Sequence, residues 1–440
     1  MTAVSLTISE ALDIALKSYY GGKLAEAERI CLKILSADPD SAATINLLAV
    51  VHTTLGRYDA ALSCYDRALL LRPDFVQALS NRGAVLKAMK RYSEALESFD
   101  RALKLQPDYV EVLNNRAGAL QELGRYAEAL TGYDRALALR GDHPATLNNR
   151  GVTLQALGRS REALESYNAA LELRPDMVEA LVNRGIAFHE LKRFDQALAD
   201  FDRALTLRPD NADALSNRGN TLASLGRCDE ALASYDAALD LQPQHVEALF
   251  NRGVVLHRLG RLEEALSSYD RALSLWSDYA KVLVARGATL HDQRRFGEAL
   301  ASYDRAINLS PQDVQALVNR GGTLHELGRF GEALQDFARA LALEPDNAEA
   351  LTNRGVVLLD LARRDQTLLD HGGTIPGQPS NNEQASSERV ISRKLQHLEE
   401  ALASHDAALA LRPDYVEALA NRGVTLYSLM RFDESLASYD

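Results

Sequence analysis

A 34-residue pattern repeats along almost the whole of this 440-residue chain, and it constrains the fold more than any other feature. The stretch Leu79–Asp108 returns nearly unchanged from Leu113 and again from Leu215. Repeats of this length are typical of solenoids, in which each unit buries its apolar face against its neighbours. The sequence therefore predicts one elongated array. Below, Val76 is position 1 of a unit and Tyr109 is position 34.

The first half of each unit has the spacing of an amphipathic helix. Position 4 is nearly always Leu, position 8 is Gly or Ala, and position 11 is mostly Leu, as in Leu79, Gly83 and Leu86. These spacings of four and three place one apolar stripe on a helix, here helix A, at about positions 2–14. Because Gly is costly inside a helix, its return at position 8 indicates a close approach that a side chain would block.

The second half predicts helix B, at about positions 17–31. Position 20 is Ala, position 24 is aromatic and position 27 is Ala, as in Ala95, Phe99 and Ala102. Gly at position 15 is suited to a helix end with φ > 0, and Pro at position 32 closes helix B. Asp at position 33 and Glu at position 2 of the next unit predict capping boxes at Asp108–Glu111, Asp176–Glu179 and Asp414–Glu417.

This pattern of Leu, Gly and Leu, then Ala, an aromatic residue, Ala and Pro, resembles the tetratricopeptide (TPR) repeat over nearly the whole chain. The resemblance implies an all-α TPR solenoid: a right-handed superhelix of antiparallel helix pairs, with helix A on the concave side. We expect about eleven full repeats and a partial one. The chain departs from the family in having Leu for Trp at position 4 and Arg for Leu at position 7.

The repeat divides the chain into four segments. Residues 1–41 form a degenerate capping repeat, 42–363 a regular array, 364–397 a flexible insertion within a repeat, and 398–440 a resumed and truncated array. The insertion is rich in Gly, Pro, Ser, Asn and Gln, which predicts a permissive loop rather than a docking element. The chain stops at Asp440, inside helix B, so we expect that it is a fragment or that the natural protein continues beyond this residue.

The first candidate for a functional site is the recurrent Asn at position 6, which the family resemblance places in the concave groove. An amide can donate to and accept from the backbone of an extended peptide. The alternative is that these amides bond to neighbouring helix groups and set the superhelix. The residues are Asn81, Asn115, Asn149, Asn183, Asn217, Asn251, Asn319, Asn353 and Asn421.

Arg at position 7 and Asp at position 25 also recur, as in Arg82 and Asp66. A structural Arg–Asp ladder between helices is favoured over a basic groove for acidic peptides. Position 12 carries four histidines that we expect to line the groove. The four imidazoles could bind one metal ion only if their side chains adopted inward-bent rotamers, so we expect no metal site and no cofactor. The histidines are His189, His257, His291 and His325.

Composition narrows the function further. The net charge is −12 and no Lys/Arg block is present, which argues against nucleic acid. We see no signal peptide and no run long enough for a membrane span, and the three cysteines lack metal or disulfide spacing. These features favour a cytoplasmic protein.

No dinucleotide, P-loop, zinc-protease or nucleophile-elbow motif is present, so we expect no enzyme activity in this chain. The first hypothesis is an interaction scaffold that binds extended peptides or protein partners in the groove. The residue sequence of the repeats also resembles that of the bacterial TPR arms of SPINDLY/O-GlcNAc transferase-like glycosyltransferases. The second hypothesis is therefore that this chain is the substrate-recruiting arm of such an enzyme and that the catalytic region is missing here. A stress-bearing assembly scaffold is a third. The sequence leaves the partner and the oligomeric state open.

Overall fold

The computed structural model describes residues 7–371 and 383–439, and of residues 383–386 the backbone alone. All regular secondary structure in these ranges is helical, and within each of the two units described next, each helix packs against the following one. The chain divides into two compact units, Met1–Leu225 and Gly226–Asp440. No helix in the described ranges is both long and apolar enough to cross a membrane.

Residues 7–225, the described part of the first unit, contain thirteen helices, which alternate between helix A and helix B of successive repeats. They are α1 (Ile8–Tyr20), α2 (Leu24–Ala37), α3 (Ala42–Thr54), α4 (Tyr58–Leu71), α5 (Val76–Ala88), α6 (Tyr92–Leu105), α7 (Val110–Glu122), α8 (Tyr126–Leu139), α9 (Pro144–Ala156), α10 (Ser160–Leu173), α11 (Val178–Glu190), α12 (Phe194–Leu207) and α13 (Ala212–Ser224).

The second unit continues the alternation within the residues described. Its helices are α14 (Cys228–Leu241), α15 (Val246–Arg258), α16 (Leu262–Leu275), α17 (Ala280–Asp292), α18 (Phe296–Leu309), α19 (Val314–Glu326), α20 (Phe330–Leu343), α21 (Ala348–Asp370), α22 (Glu383–Leu411), α23 (Val416–Ser428) and α24 (Phe432–Leu436). The predicted all-α solenoid is confirmed, and outside α21, α22 and α24 the described helices A and B begin and end within one residue of the predicted positions.

The core of most repeats contains an aromatic ring seated on a glycine, which is the close approach that the sequence predicts. Phe99 is fully buried, and a Cβ atom added to Gly83 would lie 2.5 Å from its ring. A side chain in place of such a glycine would force the ring to shift. The repeats that contain Tyr65 and Tyr133 instead bury an Ala at position 8.

The turn between helices A and B requires φ > 0 at position 15, as the recurrent Gly predicts. The Gly residues there have φ between +71° and +75°. Four repeats place a larger residue at the same point and keep the conformation, with φ between +57° and +62°; these are Lys90, Lys192, Arg294 and Met430. The turn is thus dictated by the repeat geometry, and a non-Gly residue there is strained.

The predicted capping boxes at 108–111, 176–179 and 414–417 are wrong. Each of these A helices begins one residue later than an N-cap at the Asp of position 33 would require, so the N-cap residue is Tyr109, Met177 or Tyr415, none of which caps through its side chain. Asp108 instead accepts a hydrogen bond from Arg135 at 3.0 Å. Position 34 caps helix A only where it carries a suitable acceptor, for example Asn211 and Asp313.

The insertion is more helical than the sequence predicts. Helix A is expected to end near Arg363, but α21 continues through residues 364–370. Helix B is expected to resume near Leu398, with a backward extension from about Ser387, and α22 begins at Glu383. The pair is held by Asp365, whose side chain is 5% exposed and binds both Arg393 and His397. Val390 is fully buried. The predicted loop at 372–382 lies outside the described residues.

Candidate functional site

The arginines at position 7 form the predicted ladder. Eight of the ten donate to the Asp at position 25 of the preceding repeat at 2.5–2.7 Å, whereas Arg184 and Arg354 do not. The pairs are Arg82–Asp66, Arg116–Asp100, Arg150–Asp134, Arg218–Asp202, Arg252–Asp236, Arg286–Asp270, Arg320–Asp304 and Arg422–Asp406.

These arginines also bind their own repeat. In several units the same guanidinium donates to a Ser at position 23, as Arg82 does to Ser98 at 2.7 Å. The aspartates are about half exposed, so each pair contributes at most about 1 kcal/mol. Because one side chain connects helix A with two B helices, its main effect is to fix their register. The alternative of a free basic groove at position 7 is wrong.

The asparagines at position 6 are half-buried on the neighbouring stripe of helix A. Four have intramolecular partners: Asn183 donates to Asn148 Oδ1 at 3.0 Å, Asn217 donates to a carbonyl in its own helix, Asn319 accepts from Gln315, and Asn251 also has a partner. Within the described part of the chain, five side-chain amides make no hydrogen bond; these are Asn81, Asn115, Asn149, Asn353 and Asn421. The intramolecular alternative therefore holds at some repeats, and peptide binding by the asparagines stays a prediction.

The histidines at position 12 are oriented by the following repeat. His291 Nδ1 lies 3.0 Å from Thr323 Oγ1, whose hydroxyl hydrogen is donated to the Asn319 carbonyl. His291 must therefore be the donor, which leaves its Nε2 as an acceptor. His189 and Thr221 repeat this arrangement, and burial lowers the pKa of His189.

The other two histidines use the opposite ring nitrogen. His257 Nε2 lies 2.7 Å from Asp292, and His325 Nε2 lies 2.8 Å from Asp360. Bonding to His325 lowers the pKa of Asp360. In the described residues no group of three or more His, Cys, Asp or Glu side chains is placed to hold a metal ion.

The buried threonines at position 10 are functional candidates that the sequence reasoning missed. Thr221 and Thr323 are fully buried and fix the tautomer of the histidine in the preceding repeat. Thr153 binds Gln121, which replaces that histidine, at 3.0 Å. The recurrence of Thr at position 10 could have pointed to these residues in the sequence. Its role is visible only in the structure, because it depends on a contact between neighbouring repeats.

Several of the predicted residues meet in the second unit. A pocket of about 340 Å³ between α17, α19 and α21 is lined by His291, His325, Asn319 and Asn353. The floor is formed by the aromatic residues of helix B. Asp292, Glu326 and Glu349 complete a polar lining that contains no Lys or Arg. The pocket thus combines amides, imidazole acceptors and carboxylates on one face of successive A helices.

The helix pairs, the glycine–aromatic cores and the register-setting arginines define an α-solenoid of a protein-binding class. Tetratricopeptide repeat models match residues 76–109, 108–176, 148–212, 216–280, 287–355 and 393–440, and a TPR repeat model matches 51–90. The chain belongs to the tetratricopeptide repeat family. The finer resemblance to glycosyltransferase arms stays a prediction.

Several solved structures are similar to this chain. A tetratricopeptide repeat protein from Parabacteroides merdae is 20% identical, with a TM-score of 0.49, over 57% of this chain and 99% of that one. YrrB, described as a TPR protein with an unusual peptide-binding site, is 25% identical, with a TM-score of 0.36, over 50% and 95%. Yeast Tom70 is 16% identical, with a TM-score of 0.43, over 93% and 98%. Among curated proteins, no sequence matches the chain.

Proposed function

We propose that the face of the A helices that carries the asparagines binds an extended peptide segment of a partner protein, and that the chain is an interaction scaffold rather than a catalyst. The observation that carries this proposal is the pocket in the second unit, where His291, His325, Asn319 and Asn353 line one cavity. Asn353 has a side-chain amide without a partner in the described part of the chain.

The spacing of these groups suits an extended backbone. Packed helices lie roughly 8–10 Å apart, and an extended chain rises about 3.3 Å per residue. One asparagine would therefore meet about every third peptide residue. Each amide offers a donor and an acceptor, so it can satisfy both backbone groups of that residue.

The charge of the lining selects among peptides. Asp292, Glu326 and Glu349 contribute carboxylates, and the lining has no cation of its own. Asp292 is already engaged by His257, whereas Glu326 and Glu349 make no ion pair or side-chain hydrogen bond in the part of the chain that the structure describes. We therefore expect Lys or Arg side chains of the peptide to be preferred over acidic ones.

The test is fluorescence anisotropy with two labelled peptides, one of alternating Ser and Lys and one of alternating Ser and Glu. The chain is expected to bind the lysine peptide more tightly. The double variant Asn319→Ala/Asn353→Ala should weaken that binding by about tenfold, because two hydrogen bonds are lost at about 0.5–1.5 kcal/mol each.

Position 6 provides a control of opposite sign. Ala285 occupies it in the repeat before Asn319, and Ala285→Asn adds one amide to the same face. The Ala285→Asn variant is expected to bind the lysine peptide more tightly than the parent chain does. Unchanged binding in the double variant, with unchanged circular dichroism, would refute the proposal.

A further inference from the structure

A second pocket lies in the first unit, on a different face of the A helices. It has a volume of about 700 Å³ and lies between α10, α11 and α12. Helix α11 contributes Arg184 and Phe188, at positions 7 and 11, rather than the stripe that carries the asparagines. It is therefore separate from the groove proposed above, and the inference below does not rest on that groove.

Three departures from the repeat converge on this pocket. Position 25 is Asn168 where eight other repeats form the Arg–Asp ladder. Position 19 is Gln196 where most repeats have Glu. Position 18 is Arg161, and no other repeat has a basic residue there. Each departure removes a negative charge or adds a positive one, and all three residues line the same cavity.

The two amides present donors to the cavity in place of acceptors. Arg184 donates to Asn168 Oδ1 at 2.8 Å, and Arg193 donates to Gln196 Oε1 at 2.5 Å. Since a guanidinium has only donors, each amide must turn its oxygen toward the arginine, which leaves its N–H groups for another partner. In the other repeats these positions hold carboxylates, which can only accept.

The arginines of the pocket differ in how far their charge is compensated. Arg184 is held by both oxygens of Asp200, whose side chain is 7% exposed. Arg193 has only the neutral Gln196, whereas its counterparts are clamped by Glu through two hydrogen bonds, as in Arg159–Glu162. Arg193 is thus a cation without a carboxylate partner.

Arg161 adds a second uncompensated cation. It is exposed and makes no hydrogen bond or ion pair among the described residues. The one exposed carboxylate of the lining is Glu165, one helical turn further along α10. Phe188 replaces the usual Leu, and its ring lies 4.6 Å from the Arg193 guanidinium carbon and 5.7 Å from that of Arg184. The ring gives the cavity a rigid apolar wall.

We propose that this pocket binds the carboxylate side chains of an acidic protein segment. Two arginines without a carboxylate partner among the described residues, and two amides whose N–H groups face the cavity, supply donors that suit a carboxylate. A nucleic acid fits less well, because the chain carries a net charge of −12 and a uniform polyanion would also meet the surrounding carboxylates.

The test uses the full chain and a fluorescein-labelled, glutamate-rich peptide, with its glutamine counterpart and a single-stranded oligonucleotide of equal charge as comparison probes. The variant Asn168→Asp/Gln196→Glu restores the residues of the other repeats and is therefore expected to fold. It should bind the glutamate peptide at least about tenfold more weakly, because two carboxylates now face the ligand.

Two controls separate this site from other causes. The variant Asn308→Asp/Gln312→Glu adds the same two charges at exposed positions of the second unit and should change the affinity by less than about twofold. The groove variant Asn319→Ala/Asn353→Ala should bind the glutamate peptide as the parent does. A failure of the groove proposal would leave this result intact.

The proposal is overturned if Asn168→Asp/Gln196→Glu binds the glutamate peptide like the parent, or if the charge control weakens binding as much. It is also overturned if the glutamine peptide binds equally well, or if the oligonucleotide binds more tightly than the glutamate peptide. Arg161→Ala should give a smaller loss than the double variant, because it removes one cation and leaves the amides in place.

Discussion

His405 is the weakest point in the core of the second unit, and replacing it with Phe should stabilise the protein. It occupies position 24, where the other regular repeats have Tyr or Phe, and it packs on Gly355. The residue is fully buried, and neither ring nitrogen has a hydrogen-bond partner. Phe337, on Gly321, is the equivalent ring in the preceding repeat of regular length.

The gain can be estimated from these facts. A buried polar atom without a partner costs about 1–3 kcal/mol, and the imidazole has two such atoms. Phenylalanine removes this cost and buries more apolar surface, although its larger ring must be accommodated, which costs part of the gain. We expect His405→Phe to raise the local free energy of unfolding by about 2 kcal/mol at neutral pH.

The gain should grow as the pH falls. Burial lowers the pKa of His405 from 6.5 to about 4. Between these values the unfolded chain binds a proton that the folded chain does not bind, so stability declines as the pH falls from about 6.5 to about 4. The full loss is about 3 kcal/mol, and the variant without the imidazole should not show it.

Hydrogen exchange of the amides in α21–α23 is the appropriate assay, because long repeat arrays need not unfold in one step. Free energies of opening would be compared at pH 7 and pH 5 after correction for intrinsic exchange rates. The converse variant, Phe337→His, should lose stability and gain the pH dependence. Equal protection of His405→Phe and the parent, or an unchanged pH dependence, would refute the reasoning.

Three further predictions concern the packing. Gly83→Ala should cost about 1–3 kcal/mol, because the new Cβ atom would lie 2.5 Å from the Phe99 ring. Lys192→Gly should stabilise the first unit by about 1 kcal/mol, since φ is +57° there. Arg393→Ala should cost about 3 kcal/mol, because it leaves the buried carboxylate of Asp365 with only His397. Each is measured by denaturant unfolding or by hydrogen exchange.

Matched variants control for these effects. Gly331→Ala meets no atom within 4 Å and should not destabilise the chain. Gly158→Ala, at φ +72°, should lose stability where Lys192→Gly gains it. Arg389→Ala removes an exposed arginine from the same helix as Arg393 and should have little effect. The reverse order within any of these pairs would contradict the packing described here.

The sequence alone indicates several of the contacts that recur along the array. Gly83 beneath Phe99, the left-handed turn at position 15 and the pairing of Arg82 with Asp66 all follow from residues at fixed spacing. A periodic pattern specifies these contacts because each repeat packs only against its neighbours, so equivalent residues make equivalent contacts in successive repeats.

The tertiary structure decided what depends on exceptions to the pattern. The helical extensions of α21 and α22 have no repeat signature and are held by Asp365, Arg393 and His397. Which asparagine amides remain free depends on whether a neighbouring side chain reaches them.

The departures at Arg161, Asn168 and Gln196 are separate irregularities along the chain, and only folding places them around one cavity. The physical reason is that local spacing encodes the geometry of a helix and its nearest neighbours. The charge and hydrogen-bonding capacity of a surface instead depend on side chains that several helices bring together.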